Sequence, residues 1–313
     1  MSSPQRIALI GECMIELQEE GSGLLRRTFG GDTLNTAVYL SRLLQTHGVQ
    51  VNYVTALGDD PHSEAMLQAW QAEGIQTGLV QRLAGRVPGL YMIQVDPDGE
   101  RHFSYWRDTS AAKAYFAAAE TPLEQTLDQL DVLYFSGISL AILPDAGRER
   151  LLSAAAKVRA NGGKVIFDNN YRPRLWQGAD QARQWYRRAY EGCDIALITL
   201  DDEIAMLPPG THAQTALAAA LALPVPEVVV KQGGNDTVVR VVNQQPQSIP
   251  PTRVAKVVDT TAAGDSFGAG YVAARLTGHT PEQAAATGNT LAGTVIQHRG
   301  AIIPTTAMPA IKL

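Results

Sequence analysis

Residues 259–270 read Asp-Thr-Thr-Ala-Ala-Gly-Asp-Ser-Phe-Gly-Ala-Gly. A run of small residues, Thr260 to Gly264, ends at Asp265, and 266–277 then reads as a helix rich in Ala and Gly. That layout sets backbone N–H groups at a helix start, where they can hold an anion such as a phosphate. It also sets one carboxylate beside that anion, and the two together are the minimal equipment for phosphoryl transfer to an alcohol. A plainer reading exists: Asp is a common N-cap, and Gly- and Ala-rich turns let a helix pack closely. The stretch by itself leaves both readings open.

Upstream of it the chain alternates strands and helices. Ile7–Gly11 is a short apolar run closed by glycine, and Val51–Leu57 reads as the next strand. Val132–Phe135, Val165–Phe167, Ile195–Thr199 and Val228–Lys231 are apolar runs typical of fully buried parallel strands. Helical stretches separate them, at 35–44, 63–73 (stopped by Gly74), 148–161, 179–191 and 211–223, while the Ala-rich patch 111–119 reads as plain helix. Such alternation implies βαβ units around a mainly parallel sheet, a three-layer α/β/α sandwich. Two stretches break the pattern. Met14–Glu19 and Leu90–Tyr105 alternate apolar and polar residues, the second with a turn at Pro97-Asp98-Gly99. They read as a small β-sheet lid, inserted at about 13–30 and 88–108, over the edge of the sheet where open α/β folds bind ligands. An antiparallel extension of the sheet edge without a role is the other reading. No linker divides the 313 residues, so one domain is expected.

Composition narrows the function. With 45% hydrophobic and 18% charged residues the chain has the profile of a soluble globular protein, and its net charge of −5 gives no footprint for nucleic acid or an acidic membrane. Cys13 and Cys193 lie far apart and fit buried thiols in a reducing compartment. Residues 1–11 lack the apolar run of a signal peptide and no 18-residue apolar stretch is present, so a cytoplasmic location is expected. There is no GxxxxGK[ST] loop, no GxGxxG after the first strand, no GxSxG elbow, and no histidine spacing for a transition metal.

A second glycine-rich segment remains, Phe29-Gly30-Gly31-Asp32-Thr33-Leu34-Asn35, opening the helix near Asn35. With the 259–270 run and the lid hairpin it resembles the two signature regions of the PfkB carbohydrate kinases, the ribokinase-like family. GECMIEL (11–17), GGDTLNT (30–36), YWR (105–107), SGISLAIL (136–143), FDNNYRPRLW (167–176) and DTTAAGDSF (259–267) look most like the branch that phosphorylates 2-keto-3-deoxygluconate on its C6 hydroxyl.

The resemblance implies roles. Asp265 matches the catalytic base, and Ala262, Ala263 and Gly264 the anion hole. Gly31, Asp32, Thr33, Leu34 and Asn35 would hold the sugar acid from the core, and Tyr91, Tyr105, Trp106 and Arg107 from the lid. Asn170, Tyr171 and Arg172 would contact the nucleotide, with Arg172 near both the substrate and the phosphates. Lys231, Gln232, Gly233, Gly234, Asn235 and Asp236 match the segment along the nucleotide. ATP and Mg2+ are the implied co-substrate and metal, with a monovalent cation such as K+ at Asp259 and Thr261, and a homo-oligomer built through the lids. Relatives carry Asn-x-x-Glu near the metal; here Leu200 replaces the Asn, Glu203 is kept, and Asp201 or Asp202 are candidates to help. An ordinary acidic helix start is the plain alternative.

Residue chemistry supports part of this independently. Arg offers a planar fork to a sugar-acid carboxylate, although Arg107 could equally be a surface residue and Arg172 a helix cap. Asp265 is expected to be a weak base, since a free Asp titrates near 3.9 and a helix N-terminus pushes it lower. Its contribution would then be chiefly to aim the hydroxyl. The competing functions are a PfkB-type kinase for fructose, a keto-deoxygalactonate or ribose, and a non-catalytic sugar-acid binding protein.

Overall fold

The computed structural model describes residues 5–20, 23–95 and 101–313. Its strands are β1 (Gln5–Ile10), β2 (Met14–Glu19), β3 (Leu25–Gly30), β4 (Val49–Val54), β5 (Ala56–Leu57), β6 (Gln81–Arg82), β7 (Leu90–Val95), β8 (Arg101–Trp106), β9 (Val132–Ser136), β10 (Lys164–Asp168), β11 (Ile195–Thr199), β12 (Glu227–Lys231), β13 (Thr237–Val241) and β14 (Gln247–Ile249). The helices are α1 (Asp32–Leu44), α2 (Pro61–Ala72), α3 (Gly137–Ile142), α4 (Asp145–Ala160), α5 (Ala179–Gly192), α6 (Leu200–Met206), α7 (Ala213–Leu221), α8 (Ala263–Leu276) and α9 (Pro281–Val295).

The central sheet runs β14-β13-β12-β11-β10-β9-β1-β4. Every pair from β12 to β4 is parallel, and β13 and β14 extend that end antiparallel. Because side chains alternate along a strand, each strand feeds two cores. Ala8, Ile10, Leu133, Phe135, Val165 and Phe167 pack beneath α4, α5 and α7. Ile7, Leu9, Val132, Tyr134, Ile166 and Leu197 pack against α1, α8 and α9 on the other face. Phe135 and Phe167 are wholly buried, and each such side chain contributes about 1.5–3 kcal/mol. The result is the expected three-layer sandwich.

The lid is a separate four-stranded sheet, ordered β3-β2-β7-β8. Here β2 pairs antiparallel with β3 and parallel with β7, and β7 pairs antiparallel with β8. The turn expected at Pro97-Asp98-Gly99 lies outside the described residues.

Several local expectations change. The strand read at Val51–Leu57 breaks at Thr55: β4 stays in the central sheet, while Ala56–Leu57 pairs with Gln81–Arg82. The patch read as plain helix at 111–119 is a 3-10 segment, Ala111–Ala117, with Phe116 off helical geometry. Adjacent Tyr115 and Phe116 are both buried there, edge to face at 5.1 Å. The helix read from 266 is α8, and it begins at Ala263, so Asp265 stands inside its first turn and is not its cap. No helix among the described residues is long and apolar enough to cross a membrane.

Helices α8 and α9 touch through glycine. A Cβ on Gly270 would lie 3.0 Å from the Gly288 Cα, and one on Gly288 would lie 2.8 Å from the Phe267 ring. Gly288→Val should therefore cost about 1–3 kcal/mol by overpacking, read as a lowered thermal midpoint. An unchanged midpoint would show that the helix pair can separate freely.

Candidate active site

The parallel strands deliver their last residues to one edge: Ser136 from β9, Asp168 from β10, Thr199 from β11 and Lys231 from β12. Over that edge lies a cleft of about 480 Å³, closed on one side by the lid and on the other by the N-terminal turn of α8. Open α/β sheets bind ligands at this place.

The side of the cleft expected to hold the sugar is built on α1. Ser136 Oγ (2.5 Å) and Asn170 Nδ2 (2.7 Å) both donate to Asp32 Oδ2, and Asp32 lines the cleft. Asn35 Nδ2 donates to Asp265 Oδ2 at 2.8 Å. Gly31 must be glycine, because a Cβ there would run into the Glu12 carbonyl. Tyr91, Phe103 and Tyr105 form an aromatic wall on the lid, Phe103 and Tyr105 stacked at 6.3 Å between centroids. Tyr91 is anchored by its hydroxyl to Glu16.

Other expected sugar contacts sit elsewhere. Thr33 and Leu34 face the core, Thr33 bonded to the Tyr53 hydroxyl at 3.1 Å, since α1 turns them away from the cleft. Trp106, 60% exposed, is directed away from the cleft because it alternates with Tyr105 along β8. Arg107 does not line the cleft either: its guanidinium donates to the buried carboxylate of Glu12, and its Nε has no partner. Arg172 does line the cleft, half-exposed and held loosely by Asp202 at 3.3 Å. It does not cap the short Pro173–Leu175 turn with its side chain.

At the other end, Thr260 to Asp265 line the cleft. Ala262 adopts a left-handed conformation (φ 58°), and Asn170 across the cleft has φ 26°. Strain of this kind persists where surrounding structure over-determines it. Asp259 does so here: Oδ1 accepts from the Thr261 N–H (2.9 Å) and hydroxyl (2.6 Å), and Oδ2 from the Gly300 N–H (2.9 Å). Asp259 thus organises the loop, while Thr261 reaches the cleft.

Of the strand-and-turn segment, Lys231, Gln232 and Gly233 line the cleft, whereas Gly234, Asn235 and Asp236 do not. The turn carries them past it, and Thr237 and Asn289, joined at 3.0 Å, complete that wall. Tyr171 is buried in the core, edge to face with Tyr186. In the acidic trio Asp202 faces the cleft, and Glu203 turns inward to accept from Tyr190 at 3.1 Å and Asn169 at 3.5 Å. Among the described residues no three His, Cys, Asp or Glu side chains gather as a metal cluster.

Residues 4–308 match the pfkB family carbohydrate kinase profile. The chain is 50% identical to the 2-dehydro-3-deoxygluconokinase of Escherichia coli K12 over 309 residues, covering 98% of this chain and 99% of that one. It belongs to the PfkB carbohydrate kinase family. Two solved structures share the fold. One is aminoimidazole riboside kinase from Salmonella enterica, complexed with aminoimidazole riboside and an ATP analog, at TM-score 0.80 and 23% identity, covering 97% of this chain and 96% of that one. The other is an Escherichia coli protein assigned as a ribokinase II, in complex with ATP and Mg2+, at TM-score 0.80 and 22% identity, covering 95% and 94%.

In this PfkB kinase the electrostatics of Asp265 differ from the expectation of a weak base. Its carboxyl is pushed up to about 7, first by burial and then by the neighbouring Asp32, with Asp168 adding to the rise. The Asn35 hydrogen bond and Lys231 act in the opposite direction and do not cancel it. The helix N-terminus loses to desolvation and like charge. Asp265 is therefore matched to proton transfer near neutral pH.

Sequence reasoning gave no role to Ser136, Asp168, Thr199, Phe103, Thr237 or Asn289. For the first three a signal existed, since each closes a buried parallel strand at its ligand-binding end.

A general base must be unprotonated, so kcat/KM should climb with pH to a plateau, with an acid limb near 7 that belongs to the free enzyme. Asp32→Asn removes the adjacent negative charge and should move that limb to lower pH. A limb that stays in place would deny the coupling of the two carboxyls.

Proposed function

We propose that this PfkB kinase transfers the γ-phosphoryl group of ATP to the C6 hydroxyl of 2-dehydro-3-deoxygluconate, also called 2-keto-3-deoxygluconate. The observation that carries the reading is the position of Asp265, in the N-terminal turn of α8 and against the sugar-side pair Asp32 and Asn35. The 50% identity to a kinase bearing that name supports the choice of substrate.

The sugar acid lies against α1 under the lid aromatics, with Asp32 accepting one of its hydroxyls. The terminal hydroxyl meets the Asp265 carboxylate, oriented by Asn35. The first-turn N–H groups of Gly264 and Asp265 have no partner within the helix by geometry, and so point to the transferring phosphoryl. As the new O–P bond forms, the hydroxyl proton passes to Asp265 and the electron pair of the broken β–γ bond leaves on ADP. The bond to the acceptor forms late, so orientation by Asn35 matters as much as basicity.

Nucleotide fits along Gln232, Gly233, Thr237 and Asn289. Mg2+ bound with the nucleotide would lower the charge developing on its phosphates. Asp202, a hard oxygen donor facing the cleft, is the residue placed to hold it, in preference to Glu203. The K+ expected at Asp259 and Thr261 belongs to this proposal, as a brace for the loop. So do a cytoplasmic location and a homo-oligomer formed over the exposed apolar residues Leu24, Leu25 and Trp106 of the lid.

Arg172 is the cation already in the cleft for the sugar's carboxylate, and Arg107 joins it by exchanging Glu12 for the substrate. Because Arg107 is held by Glu12, a neutral sugar is the second reading. Coupled measurement of ADP release over sugar acids and neutral sugars separates them. The proposal expects turnover on the keto-deoxy acid and little on fructose or ribose, and Arg172→Leu should raise KM for the acid at least tenfold. Faster turnover on a neutral sugar would replace the substrate, and no ADP release with any sugar would end the kinase reading.

A further inference from the structure

We propose that Lys231 is the cation that neutralises charge on the transferring phosphoryl group, and that Asp168, anchored by Tyr134, is the residue that positions it. The proposal rests on the phosphoryl-transfer reading above and extends it to three residues of the sheet edge.

Lys231 closes β12 and Asp168 closes β10, with β11 between them. Strands lie about 4.8 Å apart, so the lysine side chain must cross roughly 9–10 Å of sheet edge to reach its carboxylate. It does: Nζ lies 3.0 Å from Asp168 Oδ2 and 3.2 Å from Oδ1. Tyr134, on the next strand beyond, donates its hydroxyl to Asp168 Oδ2 at 3.2 Å. The carboxylate is thereby fixed from one side while it draws the ammonium from the other.

The stretched lysine ends against α8. A Cβ built on Gly264 would meet no side chain other than Lys231, whose Nζ would lie 3.6 Å away. The ammonium therefore borders the turn whose N–H groups form the anion hole. Lys231 is 8% exposed, yet it lines the cleft. An ammonium has three donors, and both Asp168 contacts lie on one side, which leaves donor capacity for the cleft.

The charge balance points the same way. Asp32, Asp202 and Asp265 line the cleft, with Asp168 just beneath, while Lys231 and Arg172 are the cations among its described lining residues. Arg172 is drawn toward Asp202 at the open side. Lys231 is thus the cation buried beside the phosphoryl position. A structural ion pair alone would need no opening toward the cleft, and burying such a pair seldom stabilises more than an apolar replacement would.

The test follows kcat, sugar KM and ADP binding in parallel, with thermal midpoints to confirm folding. Wild-type turnover on the accepted sugar is measured first, so failure of the kinase reading appears in the wild type and failure of this proposal only in the variants. Lys231→Met should lower kcat about 100-fold or more, with sugar KM and ADP affinity within threefold, because ADP lacks the transferring group. In Lys231→Ala, added ethylamine should restore part of kcat. Asp168→Asn should lower kcat tenfold or more in the wild type and almost nothing in the Lys231→Met background, since it acts through the lysine. Tyr134→Phe, a milder change, should lower kcat several-fold with KM unchanged, and it decides the matter if the charge variants do not fold. A kcat within threefold of wild type in Lys231→Met would overturn the proposal. So would parallel loss of ADP affinity, or equal effects of Asp168→Asn in both backgrounds.

Discussion

Two helix N-termini from opposite ends of the chain meet at one hydrogen bond, Asn35 Nδ2 to Asp265 Oδ2. Thr36 reinforces it with a weaker contact to the Asp265 carbonyl at 3.3 Å. The rest of the site depends on this junction. Helix α1 brings Asp32 and Asn35 to the cleft and α8 brings the 262–265 turn, so each glycine-rich segment supplies one side of it. The bond also fixes the carboxylate that must meet the hydroxyl, so positioning is settled before any ligand arrives.

The junction carries an electrostatic consequence. Bringing α1 to α8 places Asp32 beside Asp265, and both carboxyls are raised, chiefly by burial. Asp32 is steadied by Ser136 and Asn170, which both donate to its Oδ2. Mutual repulsion makes Asp265 a better proton acceptor than its place in a helix turn implies. Lys231, paired with Asp168, places a positive charge in the same cleft.

The layered fold was legible in the sequence because parallel strands buried on both faces are continuous apolar runs, and lid strands with unlike faces alternate. Asp265, Asn35, Asp32 and the 262–264 loop were legible for a different reason: the turn chemistry is local, and its residues lie consecutively. Thr33, Leu34 and Trp106 share those segments but face away, since a segment match does not report which way a helix or strand turns. Arg107 went elsewhere because a buried carboxylate, Glu12, competes for its guanidinium, and that pairing spans residues 12 and 107. Asp168 and Tyr134 were missed for the same cause. The chain of contacts from Tyr134 to Asp168 to Lys231 crosses from β9 to β12, and although Asp168 stands at a ligand-binding strand end, the order of residues does not announce that pairing.

The account centres on Asp265 as the acceptor of the hydroxyl proton, held in place by Asn35. Single-turnover rates of Asp265→Asn, with sugar-acid binding followed by calorimetry, test this most directly. The account predicts a transfer rate lowered by roughly 100- to 10,000-fold with sugar affinity within a few-fold of wild type. A transfer rate near that of the wild type would contradict it.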